Sequence, residues 1–262
     1  MCLLVLAWQV HPRYRLVVAA NRDEFHERPT AAMARWPEPD DIIAGRDLRA
    51  GGTWLALDRA RRFGVITNFR DLQPPAPGNP SRGSLIPDYL RNPAGAATYL
   101  QQLAPTARQY SGFNLLLMDG DSLWYASNRA ESFAKPLLPG IYGLSNQFLD
   151  TPWPKLQRVR RRFDPLINHG GEISKSELLA ILADQTQAGV NEQLPKTGLS
   201  PEWEQLLSSP FIRNENYGTR SSTLVLLERS GAVSVTERRF DPTGVASADT
   251  EFSFSAHEWP GS

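Results

Sequence analysis

Cys2 directly follows Met1, and cysteine is small enough for Met1 to be removed, which would leave a thiol and a free α-amine on one residue. Such a residue is a nucleophile that carries its own base: an α-amine of pKa about 7.7–8.0 is partly neutral at working pH and takes the thiol proton directly or through a water. A cysteine in an apolar run also reads as a small buried hydrophobe, and both readings stand at this point. The run Asn21-Arg22-Asp23-Glu24 is the second chemical feature. A guanidinium there would hold a carboxylate or stabilise a thiolate, and Asp23 would anchor an amino terminus. The alternative is a solvated charged turn.

Elements that would position these residues are legible around them. Residues 2–10 and 14–20 are β-rich runs separated by His11-Pro12-Arg13, the pattern of a hairpin, so residues 21–24 lie at the same end of it as Cys2. Further strands are expected at Ile42–Ala44, Thr53–Leu57, Phe63–Asn68, Phe113–Asp119, Leu123–Ser127, Ile141–Ser145, Thr223–Glu228 and Ala232–Phe240. Asp119-Gly120-Asp121 and Ser230-Gly231 sit where tight hairpin turns belong. Three helices are expected: one opened by Pro93, one over Leu156–Ile167 that Pro165 must kink or end, and one opened by the capping box Ser174-Lys175-Ser176-Glu177. Strands at both ends with helices between them predict an α+β fold with antiparallel sheets. Loops are expected at Gln73–Ser81, which holds four prolines, and from about Ala188 to Ser200.

A chain of 262 residues is read as one domain, 1–262. Lys plus Arg and Asp plus Glu both number 28, so no net field draws the protein to nucleic acid or an anionic membrane. One cysteine excludes an intrachain disulfide, a cysteine-based zinc site and an iron–sulfur cluster, and it fits a reducing cytoplasm. The apolar start has no basic residue before it and ends at Gln9, which favours a strand over a signal peptide, and no later run is long enough to span a bilayer. His11, His26, His169 and His257 lack metal-ligand spacing, so no metal site is expected. Gly51-Gly52-Thr53-Trp54 is either a backbone cradle for a ligand or a tight turn entering a strand. Trp54 is among the tryptophans that could line an apolar pocket.

Ordered strings extend through most of the chain: Asn21-Arg22-Asp23-Glu24 with Arg28-Pro29, Gly45-Arg46-Asp47, Gly51-Gly52-Thr53-Trp54, Thr67-Asn68-Phe69-Arg70, Ser81-Arg82-Gly83, Gly143-Leu144-Ser145-Asn146, Thr151-Pro152-Trp153-Pro154-Lys155 and Tyr217-Gly218-Thr219-Arg220-Ser221-Ser222. By these strings the chain resembles the NRDE, or Transport and Golgi organisation, family. That family in turn resembles N-terminal-nucleophile hydrolases of the bile-salt hydrolase and penicillin V acylase type. The resemblance implies a four-layer αββα sandwich, with Cys2 as nucleophile, Arg22 and Asp23 beside it, Asn68 and Asn146 as oxyanion donors and Arg220 as a late active-site arginine. Those hydrolases carry Arg and Asp three apart, whereas Arg22 and Asp23 are adjacent and would face opposite ways along an extended strand.

The leading expectation is a carrier of a small hydrophobic ligand, as the family's link to haem trafficking, lipid homeostasis and Golgi organisation implies. Cys2, Arg22, Trp54, Asn68, Asn146 and Arg220 would line its site, no cofactor would be required, and haem is a candidate cargo. The alternatives are a Cys2 hydrolase acting on a linear acyl-amide and a protein–protein adaptor. Oligomeric state is not legible in the sequence.

Overall fold

The computed structural model describes residues 2–37, 41–71, 78–190 and 192–259, without the side chain of Cys2. Strands in chain order are β1 (Cys2–Trp8), β2 (Tyr14–Phe25), β3 (Thr30–Arg35), β4 (Ile42–Asp47), β5 (Leu55–Asp58), β6 (Phe63–Asn68), β7 (Phe113–Asp119), β8 (Ser122–Ser127), β9 (Ala134–Pro136), β10 (Gly140–Leu144), β11 (Tyr217–Glu228), β12 (Val233–Phe240) and β13 (Ala246–Phe254). The α-helices are α1 (Leu85–Arg91), α2 (Ala96–Leu103), α3 (Pro154–Asn168), α4 (Lys175–Leu182) and α5 (Pro201–Leu206). Contacts divide the chain into two compact units, one of residues 1–27, 139–145 and 149–262, the other of residues 28–138 and 146–148.

In the first unit an antiparallel sheet runs in the order β10-β1-β2-β11-β12-β13. Pleating sends Leu3, Val5 and Ala7 of β1, Val17 and Ala19 of β2, and Leu224 and Leu226 of β11 into one core. Leu156, Val159, Phe163 and Ile167 of α3 and Leu178, Ile181 and Leu182 of α4 fill that core, so both helices cover the same face of the sheet. Ser174 caps α4 by accepting from the Glu177 amide at 3.3 Å, as the capping box requires. Helix α3 continues three residues past Pro165 and closes with the His169 amide donating to the Pro165 carbonyl at 3.0 Å. Proline there removes one donor from the last turn without ending it.

The second unit is an antiparallel meander in strict chain order, β3 to β9. Its core joins alternate strand residues such as Ile42, Ala44, Leu115 and Leu117 to Ile86, Tyr89 and Leu100 of α1 and α2. Asp119 pairs with Ser122 around Gly120 (φ 43°), the tight turn expected there. Helix α2 begins at Ala96 rather than Pro93. The Asn92 side chain accepts from the Ala94 amide at 2.9 Å, and this local turn spends Pro93 outside the helix.

Each unit is therefore an antiparallel sheet with helices on one face, the two-layer composition that an αββα sandwich contains twice. Strand β2 runs five residues beyond its expected end at Ala20 because β11 is equally long and pairs with it as far as Phe25. Most of the expected Gln73–Ser81 loop lies outside the described residues.

Candidate functional site

The Asn21-Arg22-Asp23-Glu24 string is neither a turn nor a solvated edge: it is the extended end of β2, with β1 on one side and β11 on the other. Alternation splits it into two pairs. Asn21 donates to the carbonyls of Leu182 (2.8 Å) and Pro210 (2.9 Å) and accepts from the Ser222 hydroxyl at 2.6 Å, which ties the sheet to the segments packed on its helical face. Asp23 is buried and accepts from the Thr219 hydroxyl at 2.7 Å, and Thr219 in turn accepts from the Ile212 amide at 2.9 Å. Lys155, in the first turn of α3, is equally buried; its ammonium lies 6.0 Å from the Trp153 ring centroid. Burial pushes the Asp23 carboxyl above the usual carboxylate range, while the charge of Lys155 and the Thr219 hydrogen bond pull it back.

The other pair, Arg22 and Glu24, lies on the opposite face, with 3.8 Å between guanidinium and carboxylate. Across the sheet the register is Cys2, Arg22, Ser221, Arg239 on four consecutive strands. Cys2 thus stands at the position expected of it along the chain, opposite Arg22, and its side chain lies outside the described residues. Between Thr219 and Ser221 the β2–β11 register slips, so that Arg220 is the extra residue of a bulge. A bulge re-aims a side chain, and Arg220 donates to the carbonyls of Phe25 (2.9 Å) and His26 (3.2 Å) at the strand end. Burial lowers the pKa of the Arg220 guanidinium, and the like charges of Arg22 and Arg239 add to the same direction, with Glu24 opposing them. Ser221, 4% exposed, lies between Arg22 and Arg239 in the row, and its hydroxyl has no hydrogen-bond partner among the described residues.

The remaining expected site residues belong to the second unit. Asn146 is fully buried and donates to the Asn68 carbonyl at 2.9 Å, while its own carbonyl accepts from the Arg70 amide at 2.7 Å. These bonds bring Asn68 and Asn146 together. Trp54 packs against that unit's core, and its ring occupies the space over Gly45, where a Cβ would meet ring carbons at 2.4 Å. Gly51-Gly52-Thr53-Trp54 is built against Ser81-Arg82-Gly83: the Thr53 amide donates to the Gly83 carbonyl at 3.0 Å, and a Cβ on Gly52 would stand 2.3 Å from that carbonyl. The turn reading of the two glycines therefore has a specific cause, close backbone approach.

Arg239, Glu237 and Lys155 were not expected as site residues. The hairpin loop is Arg229-Ser230-Gly231, with Glu228 bonded to Ala232, and this register pairs Ser221 with Arg239 and Thr223 with Glu237; counting from a two-residue turn at Ser230-Gly231 puts Phe240 and Arg238 there instead, one residue out. Two cavities of the first unit lie elsewhere: one of about 510 Å³ bounded by Leu156, Arg160 and Asp164 on α3, one of about 620 Å³ beside Tyr14 and Lys175. Neither is lined by Arg22, Arg220 or Ser221. No helix among the described residues is long and apolar enough to cross a membrane.

Residues 1–242 match the family described as Transport and Golgi organisation 2. The Transport and Golgi organization protein 2 homolog of Bos taurus is 32% identical over 96% of this chain and 99% of its own length. The Homo sapiens homolog is 33% identical over 91% of this chain and 92% of its own. Among solved structures, the Caenorhabditis elegans N-acylethanolamine-hydrolyzing acid amidase ortholog is similar at a TM-score of 0.48 and 12% identity, covering 86% of this chain and 92% of that one.

Proposed function

The chain belongs to the Transport and Golgi organisation 2 family, and on that premise we propose that it carries an amphipathic ligand in the cytoplasm, binding the ligand's acid group at the end of β2. The observation that carries this reading is the convergence of charge there. Arg22, only 6% exposed, and the half-buried Arg220 act on each other as like charges at the end of paired strands, together with Arg239. Holding guanidiniums together away from water costs free energy, and an anion between them returns it through charge-assisted hydrogen bonds. Haem suits such a site as cargo, because its macrocycle is apolar and its two propionates are carboxylates.

Haemin titration followed by absorbance tests the reading. Saturable binding that weakens at least tenfold in Arg22→Gln, the loss of about one charged hydrogen bond, is the expected result. Absence of saturable binding, or equal affinity in the variant, would overturn it.

A second reading rests on the register of Cys2, which stands in the same row as Arg22 and Ser221. After loss of Met1, its own amine would take the thiol proton as the sulfur adds to an amide carbonyl, and the guanidiniums would stabilise the oxyanion. The substrate's amine would leave with that proton as the C–N bond breaks to give a thioester, and water would then release the acid and the free thiol. Turnover of an acyl-amide by protein whose intact mass lacks Met1, abolished in Cys2→Ala, would put hydrolysis in place of carriage.

A further inference from the structure

The row that holds Arg22 continues onto two strands beyond it, and its chemistry narrows what the site takes. Ser221 and Arg239 follow Arg22 in register, one strand apart each, so the Cα atoms of the two arginines lie roughly 10 Å apart with the serine midway. A buried hydroxyl without a partner is uncommon in a native protein and calls for an explanation. At Ser221, which stands between Arg22 and Arg239 in the row, the explanation at hand is an acceptor supplied by a ligand.

Formal charge restricts that acceptor further. Arg22, Arg220 and Arg239 supply three positive charges; Glu24, 3.8 Å from Arg22, and Glu237, which pairs with Thr223 one row inward on the same face as Arg239, supply two negative ones. Over these five described side chains the formal sum is one positive charge. Asp23 and Lys155 belong to the helical face and offset each other. A site of this balance suits a monoanion, whereas a phosphate monoester, with about 1.5–2 negative charges at neutral pH, would be opposed by the two glutamates.

We infer that Arg22, Ser221 and Arg239 form a clamp for a single carboxylate, the acid end of the amphipathic ligand, with the Ser221 hydroxyl donating to one carboxylate oxygen and the guanidiniums to both. The inference rests on the carrier reading above and adds the head-group class and two residues to it. Glu24 is then a specificity residue that lowers affinity for a doubly charged head group, such as a phosphate monoester, without touching the ligand. Specificity here comes from a repulsive element as much as from the attractive ones.

Calorimetric titration with dodecanoate, methyl dodecanoate, dodecyl phosphate and acetate tests the clamp in the full-length protein. Dodecanoate is expected to bind at least tenfold more tightly than its methyl ester and than dodecyl phosphate. Ser221→Ala and Arg239→Gln should each weaken dodecanoate about five- to tenfold, and Glu24→Gln should raise affinity for dodecyl phosphate relative to dodecanoate. Ser221→Ala removes a single buried oxygen and guards against a folding failure of Arg239→Gln. Should both variants bind dodecanoate as the wild type does while Arg22→Gln does not, the clamp falls and the carrier reading stands. Phosphate binding more tightly than the acid, or the ester binding equally, would overturn the carboxylate assignment. Acetate binding as well as dodecanoate would remove the amphipathic ligand and leave the clamp. Wild-type protein that binds neither dodecanoate nor haemin would overturn both.

Discussion

In the second unit the unusual residue strings close on one another. Asp47 accepts from the Arg28 guanidinium at 2.7 Å and from the amides of Arg49 and Ala50; Arg82 donates to the Gly112 carbonyl at 2.8 Å; Gly52 and Gly83 touch backbone to backbone. Buried Asn114 and Asn128 likewise spend their amides on the Gln147 carbonyl and on the carbonyls of Ala107 and Tyr110. In the first unit the corresponding strings do the reverse on one face of β2. There Arg220 meets the like charges of Arg22 and Arg239, and the buried Ser221 hydroxyl has no partner among the described residues. Two sets of equally distinctive strings therefore have different causes. Where the chain itself meets the donors and acceptors named above, the string serves the fold; where like charges and a buried hydroxyl meet on one face, the string serves a ligand.

The largest expected effect lies on the helical face of the first unit. Lys155→Met strands the Asp23 carboxylate in the core and should destabilise by about 3–5 kcal/mol in urea denaturation at pH 7. Asp23→Asn combined with Lys155→Met should lie closer to the wild type than Lys155→Met alone. Without Lys155 the Asp23 carboxyl is raised further, so the folded protein keeps its stability below the unfolded pKa of about 3.9 and loses it as pH rises. The variant should accordingly approach the wild type near pH 4 and diverge from it near pH 8. An effect independent of pH would mean that packing, and not charge, is what Lys155 contributes.

In the second unit, Gly52→Ala forces a methyl into the Gly83 backbone and should cost about 1–3 kcal/mol of stability. Haemin affinity below the unfolding transition should be unchanged. A Gly52→Ala protein of normal stability that loses haemin would reverse the assignment of the two sets of strings. Arg22→Gln makes the converse test: ligand affinity falls at least tenfold, about 1.4 kcal/mol, while the thermal midpoint of the ligand-free protein does not fall.

The smallest effect concerns acid. Burial raises the Asp47 carboxyl, but the bonds from Arg28 and from the Ala50 and Arg49 amides outweigh it and hold the group below its ordinary range. A folded pKa lower than the unfolded one contributes stability above about pH 4 that disappears as pH falls through the folded value. Asp47→Asn should therefore cost about 0.5–1 kcal/mol at pH 7 and less near pH 2, measured by urea denaturation at each pH.

Much of this contrast was legible in the residues themselves. The hairpin that sets Cys2 and Arg22 at one end, both tight turns and the Ser174 cap follow from local rules, and β6 and β7 begin and end where their apolar runs do. Three strands were not. β3 (Thr-Ala-Ala-Met-Ala-Arg) lacks the β-branched and aromatic residues that mark a strand, β9 has three residues including a proline, and β13 is polar and largely exposed, so partners and not propensity make all three. The adjacency of Arg22 and Asp23 did forecast their opposite faces. What adjacency does not carry is the bulge at Arg220, which depends on pairing between residues some two hundred positions apart.

A double-mutant cycle of Arg22→Met and Arg220→Met on the ligand-free protein measures the central claim directly. The account predicts a repulsive coupling of about 0.5–1 kcal/mol: either substitution alone relieves the repulsion, so the second is more destabilising, or less stabilising, when the first is already present than it is in the wild type. Saturating dodecanoate should abolish or reverse that coupling. Additive or attractive coupling without ligand, unchanged when dodecanoate is added, would contradict the claim that these guanidiniums are held against each other for an anion.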